Sequence, residues 1–407
     1  MSFPKPRKGK AVTTGKALDG KPYAGNPHVR FDEGITASAT PRRVSLLCRT
    51  LIGMAMMALT ELGHAALPVR ADNTPGFVKV EWSLETGEKW EVKGLADRET
   101  GRPMATNTIF AICSNTKPVT SVLALTFVEE GKLDLDDPVS KYFPEFAHIK
   151  FNHKYKGVKK EGNRPGHPIL LRHLITHLSG LWYSVRDGTH KPDAVSLVDQ
   201  VKFAVEKGVS REPGEMYVYN GLGFSVMGAI LEKITCRKID VLMQERVFDP
   251  LGMNDTTFYP SSEQMARAAT VYHYPKDGGA PKRIGFRRYS EPLDNRERTP
   301  ILSGGLFSTA VDYLKFEQML ALKGVGLNGK RILKEETFDK YLATRQTPPG
   351  DKVDASFDIH FNKQHTGGGK GGLYGTHASA DWAKKSCRVS FKAVSAKIPK
   401  EMSFNAK

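Results

Sequence analysis

Residues 110–131 read FAICSNTKPVTSVLALTFVEEG, and the reading of this stretch decides the rest. Ser114 and Lys117 are three positions apart, so a helix starting near Ser114 puts both on one face, a single turn from each other. Pro118 is tolerated in a first turn, where N–H groups have no intrahelical acceptor. Val119, Val122, Leu123, Leu125 and Val128 then make a broadly apolar helix, which Gly131 ends. Such a helix is expected to be buried, and an ammonium in its first turn then needs a reason. A serine hydroxyl is a weak nucleophile until a neighbour takes its proton, and a lysine whose pKa is pulled down by burial can do so. The same four letters also describe a plain helix cap followed by a surface lysine, so the pair needs support from elsewhere in the chain.

The chain of 407 residues is long enough for one large or two modest domains with a real core. Its formal charge of +16 raises nucleic acid as a partner to be tested against where the charge sits. The excess sits at the ends, about +7 in residues 1–70 and about +6 in residues 382–407. No basic face interleaved with aromatics and no nucleic-acid motif occurs, so nucleic acid is not an expected partner. Residues 1–41, rich in Gly, Pro, Lys and Ser/Thr, read as a disordered leader. Residues 42–71 run from Arg42-Arg43 through an apolar stretch centred on Leu51–Leu59 to small residues at Ala65, Ala66 and Ala71. That order reads as a signal peptide, which predicts an exported protein, periplasmic or extracellular, with no stable transmembrane anchor once the leader is removed. Cys48, Cys113, Cys236 and Cys387 fit neither a zinc site nor a disulfide framework, and Cys113 reads as a small apolar filler.

Residues 72–407 form the expected domain. "FVKVEWSLETGEKWEVKGLAD" alternates as a hairpin turning at Thr86-Gly87. "ILLRHLITHLSG", "AVSLVDQVKFAVEKG" and "GFSVMGAILEKIT" show helical spacing within a mainly helical insertion of approximately 132–300. "GGLFSTAVDYLKFEQMLALKG" is a further helix, capped by Ser308 or Thr309 and closed by Gly324, and "CRVSFKAVSAKI" reads as a strand. Strands at both ends with helices between predict an α+β fold: an antiparallel sheet formed by the N- and C-terminal segments, flanked by helices.

With these elements placed, "CSNTKPVTSVLALTFVEEGKLDLDDPVSKYFPEF", "LLRHLITHLSGL", "VFDPLGMNDTTFYP" and "GGLFSTAVDYLKFEQML" together resemble the class C β-lactamase-like serine hydrolases, a group that includes penicillin-binding proteins, esterases and D-aminopeptidases. The resemblance implies a β-lactamase/transpeptidase-like fold. It also implies an acyl-enzyme formed on Ser114 from an ester, a peptide or another small-molecule amide, with no cofactor or metal. The first motif maps onto Ser114-Asn115-Thr116-Lys117. In "PGEMYVYNGLGFSVMG" the second motif puts its tyrosine at Tyr219, with Asn220 in the middle and Gly221 where the family has asparagine. The third, K-T-G or H-x-G in the family, is matched to His365-Thr366-Gly367, and the resemblance implies an oxyanion hole from the backbone of Ser114 and Gly368. Either Lys117 or Tyr219 is the base. Gly221 lacks the amide that would hold a lactam or peptide side chain, so an ester or an unidentified amide is expected over efficient lactam turnover, and Asn220 is a candidate to take over that contact. The family usually continues into another strand and a long helix where this chain has a short tail, which is expected to expose apolar sheet surface and favour a dimer. The competing function is a non-catalytic member of the fold that binds a peptide or cell-wall ligand. His173 and His177 share the spacing of zinc-binding histidines, but the glutamate of H-E-x-x-H is missing. No G-x-S-x-G elbow occurs, which argues against an α/β-hydrolase.

Overall fold

A computed structural model describes residues 74–152, 162–185, 191–275, 279–286 and 288–395. The leader, the signal-peptide reading and residues 396–407 of the tail lie outside the described residues. Strands β1 (Phe77–Ser83) and β2 (Gly87–Lys93) form the expected hairpin, with Gly87 at a φ of 71° in the turn. The apolar stretch becomes helix α1 (Thr116–Glu129), entered through a 3₁₀ turn at Cys113–Asn115 and left at Gly131. Helices α2 (Leu197–Lys207), α3 (Leu222–Thr235) and α4 (Ala310–Ala321) follow, with Ser196 and Thr309 capping α2 and α4 through their hydroxyls. Five strands complete the set: β3 (Ala355–Ser356), β4 (Ile359–Phe361), β5 (Gly367–Gly371), β6 (His377–Asp381) and β7 (Ser386–Lys392).

These seven strands make one antiparallel sheet in the order β2-β1-β7-β6-β5-β4-β3. The N-terminal hairpin therefore joins the C-terminal strands through the β1/β7 ladder, as the α+β reading expects. One face alternates inward: Val78, Val80 and Trp82 from β1 and Val389 and Phe391 from β7 are buried, where α4 packs. The outward positions carry Lys79, Glu81, Ser379, Arg388 and Ser390, with Lys79 and Glu81 paired at 2.9 Å. Apart from Phe77 of β1, these outward positions are polar where an apolar face was expected. Alternation along β1 and β7 sends mostly polar residues outward while the apolar ones go to the core.

Helix α1 is buried on every side from Thr116 to Phe127. Beside it runs the segment 302–309. Thr120 Oγ1 donates to Leu302 O, Leu306 N donates to Thr116 Oγ1, and Phe307–Thr309 pairs with Ile109–Ala111 just ahead of Ser114. The helix expected from "ILLRHLITHLSG" is only one turn, Leu171–Ile175, because His177 takes a left-handed φ of 64° and stops it. Among the described residues no helix is long and apolar enough to cross a membrane.

Candidate active site

The turn Cys113–Asn115 lifts Ser114 to the surface end of α1, with Cys113 held at a φ of 48°. Tyr219, from the loop before α3, donates its hydroxyl to Ser114 Oγ at 2.9 Å. Lys117 Nζ lies 3.3 Å from Ser114 Oγ, 2.7 Å from Tyr219 OH and 2.6 Å from the Ser303 carbonyl. The structure thus brings three of the residues picked out in the sequence onto one another. Lys117 is 2 % exposed. Burial pulls its pKa down to about 7, with help from the charges of Lys370 and Arg288 and against the pull of Asp358. Burial and Asp358 push the Tyr219 phenol well above its ordinary value, opposed in part by its hydrogen bond to Ser114. Near neutral pH the amine is the group that can accept a proton, and the phenol keeps its own. Cys113 is buried and its thiol pKa is raised by that burial, so no thiolate competes with Ser114.

Behind Tyr219 lies an ionic cluster that the sequence did not reveal. Asp358, 1 % exposed, accepts from Lys370 Nζ at 2.6 Å and pairs with His177 Nε2 at 2.9 Å. Nδ1 of His177 accepts from the Asn220 backbone N–H at 3.1 Å, which leaves the ring proton on Nε2, aimed at Asp358. Burial lowers the His177 pKa to about 4, so the ring is neutral. Burial alone would raise the Asp358 carboxyl, but His177 and the Lys370 ammonium hold it well below the usual carboxylate range. Lys370 Nζ and Lys117 Nζ each sit 4.7 Å from the centre of the Tyr219 ring. His173 spends its Nδ1 on the Leu170 N–H, so neither histidine of the zinc-like spacing is turned toward a shared ligand.

The third motif falls elsewhere than at His365-Thr366-Gly367. His365 is in the turn ahead of β5, 46 % exposed by its side chain, paired with Asp354 at 2.7 Å and stacked on Phe361. Among the described residues no bond or ring contact joins it to Ser114, Lys117 or Tyr219. Thr366 closes that turn, bonded to Asn362 and Asp381. Backbone direction excludes Gly368 as an oxyanion donor. Thr366 O accepts from Trp382 N and Gly367 O from Asn362 N, and alternation then turns Gly368 toward Ala380 on β6. Gly371 is directed to the other side, past the last β4 pair at His360/Gly369. The end of β5 that meets the Ser114 turn is Gly372, where a Cβ would collide with Thr376 Oγ1 and the Ile112 carbonyl. Lys370-Gly371-Gly372 keeps the lysine and the last glycine of K-T-G, while the upstream letters fit H-x-G, and it is Lys370 that lies over the Tyr219 ring at 4.7 Å. Its signal was a lysine inside a run of glycines.

Asn220 is also reassigned. It is fully buried, with Nδ2 on Val218 O and Oδ1 accepting from Gly223 N in the first turn of α3. It has no face toward the cleft. At Gly221 a Cβ would sit 2.6 Å from Ser303 Oγ and 3.0 Å from Tyr183 O, so Ser303 and Tyr183 fill the place of a side chain there.

A family model described as Beta-lactamase matches residues 77–390. The chain belongs to the beta-lactamase family. Esterase EstB of Burkholderia gladioli is 31 % identical over 251 residues, 55 % of this chain and 59 % of its own length. The D-alanyl-D-alanine-carboxypeptidase/endopeptidase AmpH of Escherichia coli (strain K12) is 28 % identical over 215 residues, 52 % of this chain and 49 % of its own length. The matches thus span about half to three fifths of these relatives. Among solved structures, EstCE1, a hydrolase with promiscuous acyltransferase activity, superposes with a TM-score of 0.64 over 86 % of this chain and 94 % of its own, at 23 % identity, a likeness of fold. Beta-lactamase family membership with esterase and carboxypeptidase relatives is consistent with a serine hydrolase.

Proposed function

We propose that the protein is a serine hydrolase that works through an acyl-enzyme on an ester or amide, with esters favoured over β-lactams. The observation that carries this reading is the Ser114 hydroxyl bonded to Tyr219 and in reach of a buried amine whose pKa lies at about 7. Neutral Lys117 takes the Ser114 proton, directly or through the Tyr219 hydroxyl, as the Oγ–C bond forms. The proton then passes to the departing oxygen or nitrogen as the scissile bond breaks. Water attacks the acyl-enzyme, gives its proton back to Lys117, and Ser114 is regenerated when Oγ is reprotonated. Developing negative charge on the carbonyl oxygen is met by backbone N–H groups at Ser114 and at Gly371 or Leu373, since the Gly372 N–H between them is given to the Thr376 carbonyl. The choice of esters rests on Gly221, whose neighbours Ser303 and Tyr183 leave no room for an amide side chain to grip a lactam's or peptide's own amide.

Treatment with a fluorophosphonate followed by mass spectrometry of the Ser114 peptide tests the chemistry. Modification in the wild type that is lost in Ser114→Ala is expected, and an unmodified Ser114 in folded protein refutes it. Turnover of p-nitrophenyl acetate well above that of nitrocefin is expected, and the reverse order overturns the substrate ranking.

A further inference from the structure

The turn Ile301-Leu302-Ser303-Gly304-Gly305 is clamped by its backbone. Thr120 Oγ1 donates to Leu302 O at 2.9 Å, Lys117 Nζ to Ser303 O at 2.6 Å and Gly304 N to Ile301 O at 2.9 Å. Leu302 fills a notch on α3 that only glycine leaves, since a Cβ on Gly228 would collide with Leu302 Cδ1. Pinned on α1 and α3, the turn sets Ser303 against Gly221, where the missing Cβ would stand 2.6 Å from Ser303 Oγ. The other polar groups at that spot are already used. Tyr183 O accepts from Gly221 N at 2.6 Å, Asn220 bonds to Val218 O and Gly223 N, and the Ser303 carbonyl holds Lys117. The Ser303 hydroxyl makes no hydrogen bond among the described residues, and it is not sealed from solvent, since the residue keeps 6 % of its surface. An Oγ lies at most about 5 Å from its own carbonyl oxygen, so this hydroxyl is within about 8 Å of the Lys117 amine, which reaches Ser114 Oγ at 3.3 Å. Tyr183, 38 % exposed and with its ring 6.0 Å from that of Tyr219, stands beside it as an aromatic wall.

A hydroxyl offers one donor and two lone pairs, and a rigid turn holds this one in place with all of them unused. A substrate oxygen that bonds to it recovers the cost of drying the hydroxyl, whereas an analogue with a methylene at that point leaves it unpaired. Resting on the hydrolase reading above, we infer that Ser303 Oγ is a specificity-determining contact for an uncharged oxygen carried by the substrate a few bonds from the scissile carbonyl. Substrates of this class are hydroxy- or alkoxy-substituted esters. A single hydroxyl in the space beside Gly221 suits one such oxygen, where a side-chain amide would offer a donor and an acceptor together.

Two pairs of esters that differ by one oxygen for one methylene test the inference. 4-Nitrophenyl methoxyacetate against 4-nitrophenyl butyrate puts the oxygen on the acyl part, and 2-methoxyethyl acetate against butyl acetate puts it on the leaving part. The ether-to-methylene ratio of kcat/KM is compared between wild type and Ser303→Ala, so the intrinsic reactivity of each ester cancels. In at least one pair the ratio is expected to fall about 3- to 10-fold in the variant, and the pair in which it falls tells which part of the substrate meets Ser303. Ratios that stay in place or rise in both pairs overturn the inference, and equal losses on ether and methylene esters mean that Ser303 only packs the turn. Binding separates this failure from that of the hydrolase reading. Ser114→Ala is titrated by NMR with the two acetates and with methyl methoxyacetate and methyl butyrate. Tighter binding of an ether ester than of its partner, lost when Ser303→Ala is added, supports the contact even if no ester is turned over. Ester turnover through Ser114 with unchanged ratios sinks the contact alone.

Discussion

Replacing Lys370 with methionine should move the pH dependence of catalysis while leaving the nucleophile and base in place. Lys370 and Lys117 each lie 4.7 Å from the centre of the Tyr219 ring, so their ammonium groups are no more than about 9 Å apart. Two unit charges at about 8 Å in a medium of effective dielectric about 20 repel by about 2 kcal/mol, or about 1.5 pKa units. Lys370→Met removes that repulsion and leaves the Asp358 carboxylate to attract the Lys117 ammonium, so both effects raise the Lys117 pKa. The base works as the neutral amine, and the limb of kcat/KM that rises with pH must therefore move upward. From about 7 in the wild type, a rise of about 1–2 units cuts the neutral fraction at pH 7 about 5- to 50-fold, with most of the loss recovered by pH 9.5. Breaking a buried ion pair also costs about 3–5 kcal/mol of stability, so the profile belongs at low temperature beside Lys370→Arg, which keeps the charge and should keep the limb. The assay is hydrolysis of a p-nitrophenyl ester from pH 5.5 to 9.5, corrected for spontaneous cleavage. A limb that stays in place or moves down in folded Lys370→Met refutes the argument that charge at 370 sets the base at 117.

Tyr219→Phe removes the hydroxyl that bridges Ser114 and Lys117 and should lower kcat about 100-fold or more, read by steady-state kinetics, with circular dichroism unchanged. Gly372→Ala places a Cβ against the Ile112 carbonyl and Thr376 Oγ1, so it should cost about 1–3 kcal/mol in urea unfolding and reduce kcat by shifting the Ser114 turn. Glu317 is buried in α4 and burial raises its pKa far above the ordinary carboxylate value. The folded state thus keeps a proton that the unfolded chain releases at about pH 4.3, and stability drains away as pH rises from there toward the raised folded pKa. Glu317→Gln should remove this slope of up to about 1.4 kcal/mol per pH unit, and the difference from the wild type in urea unfolding should grow in the variant's favour from pH 5 to pH 8. Parallel curves would mean that the carboxyl is ionised in the fold.

The hairpin at 77–93, the helix after Ser114 and the capped helix after Thr309 were legible because alternation, apolar spacing and caps are local. The one-turn break at His177 was not, because its left-handed backbone is sustained by ring bonds to Asp358 and to the Asn220 N–H, partners far away in sequence. The third motif was missed for a related reason. The letters of 365–372 offer two matches, and only the register of β5 against β4 and β6 shows which backbone groups face out and which lysine lies over Tyr219.

By itself the sequence determined the layout of sheet and helices, and the three-residue spacing that sets an amine beside a hydroxyl, since both follow from periodicities within a few residues. Tertiary structure alone decided the charge state of that amine and the buried pair Asp358–Lys370 behind the phenol. Proton affinity and ion pairing depend on water excluded and charges gathered from distant segments, and no local run of residues records either.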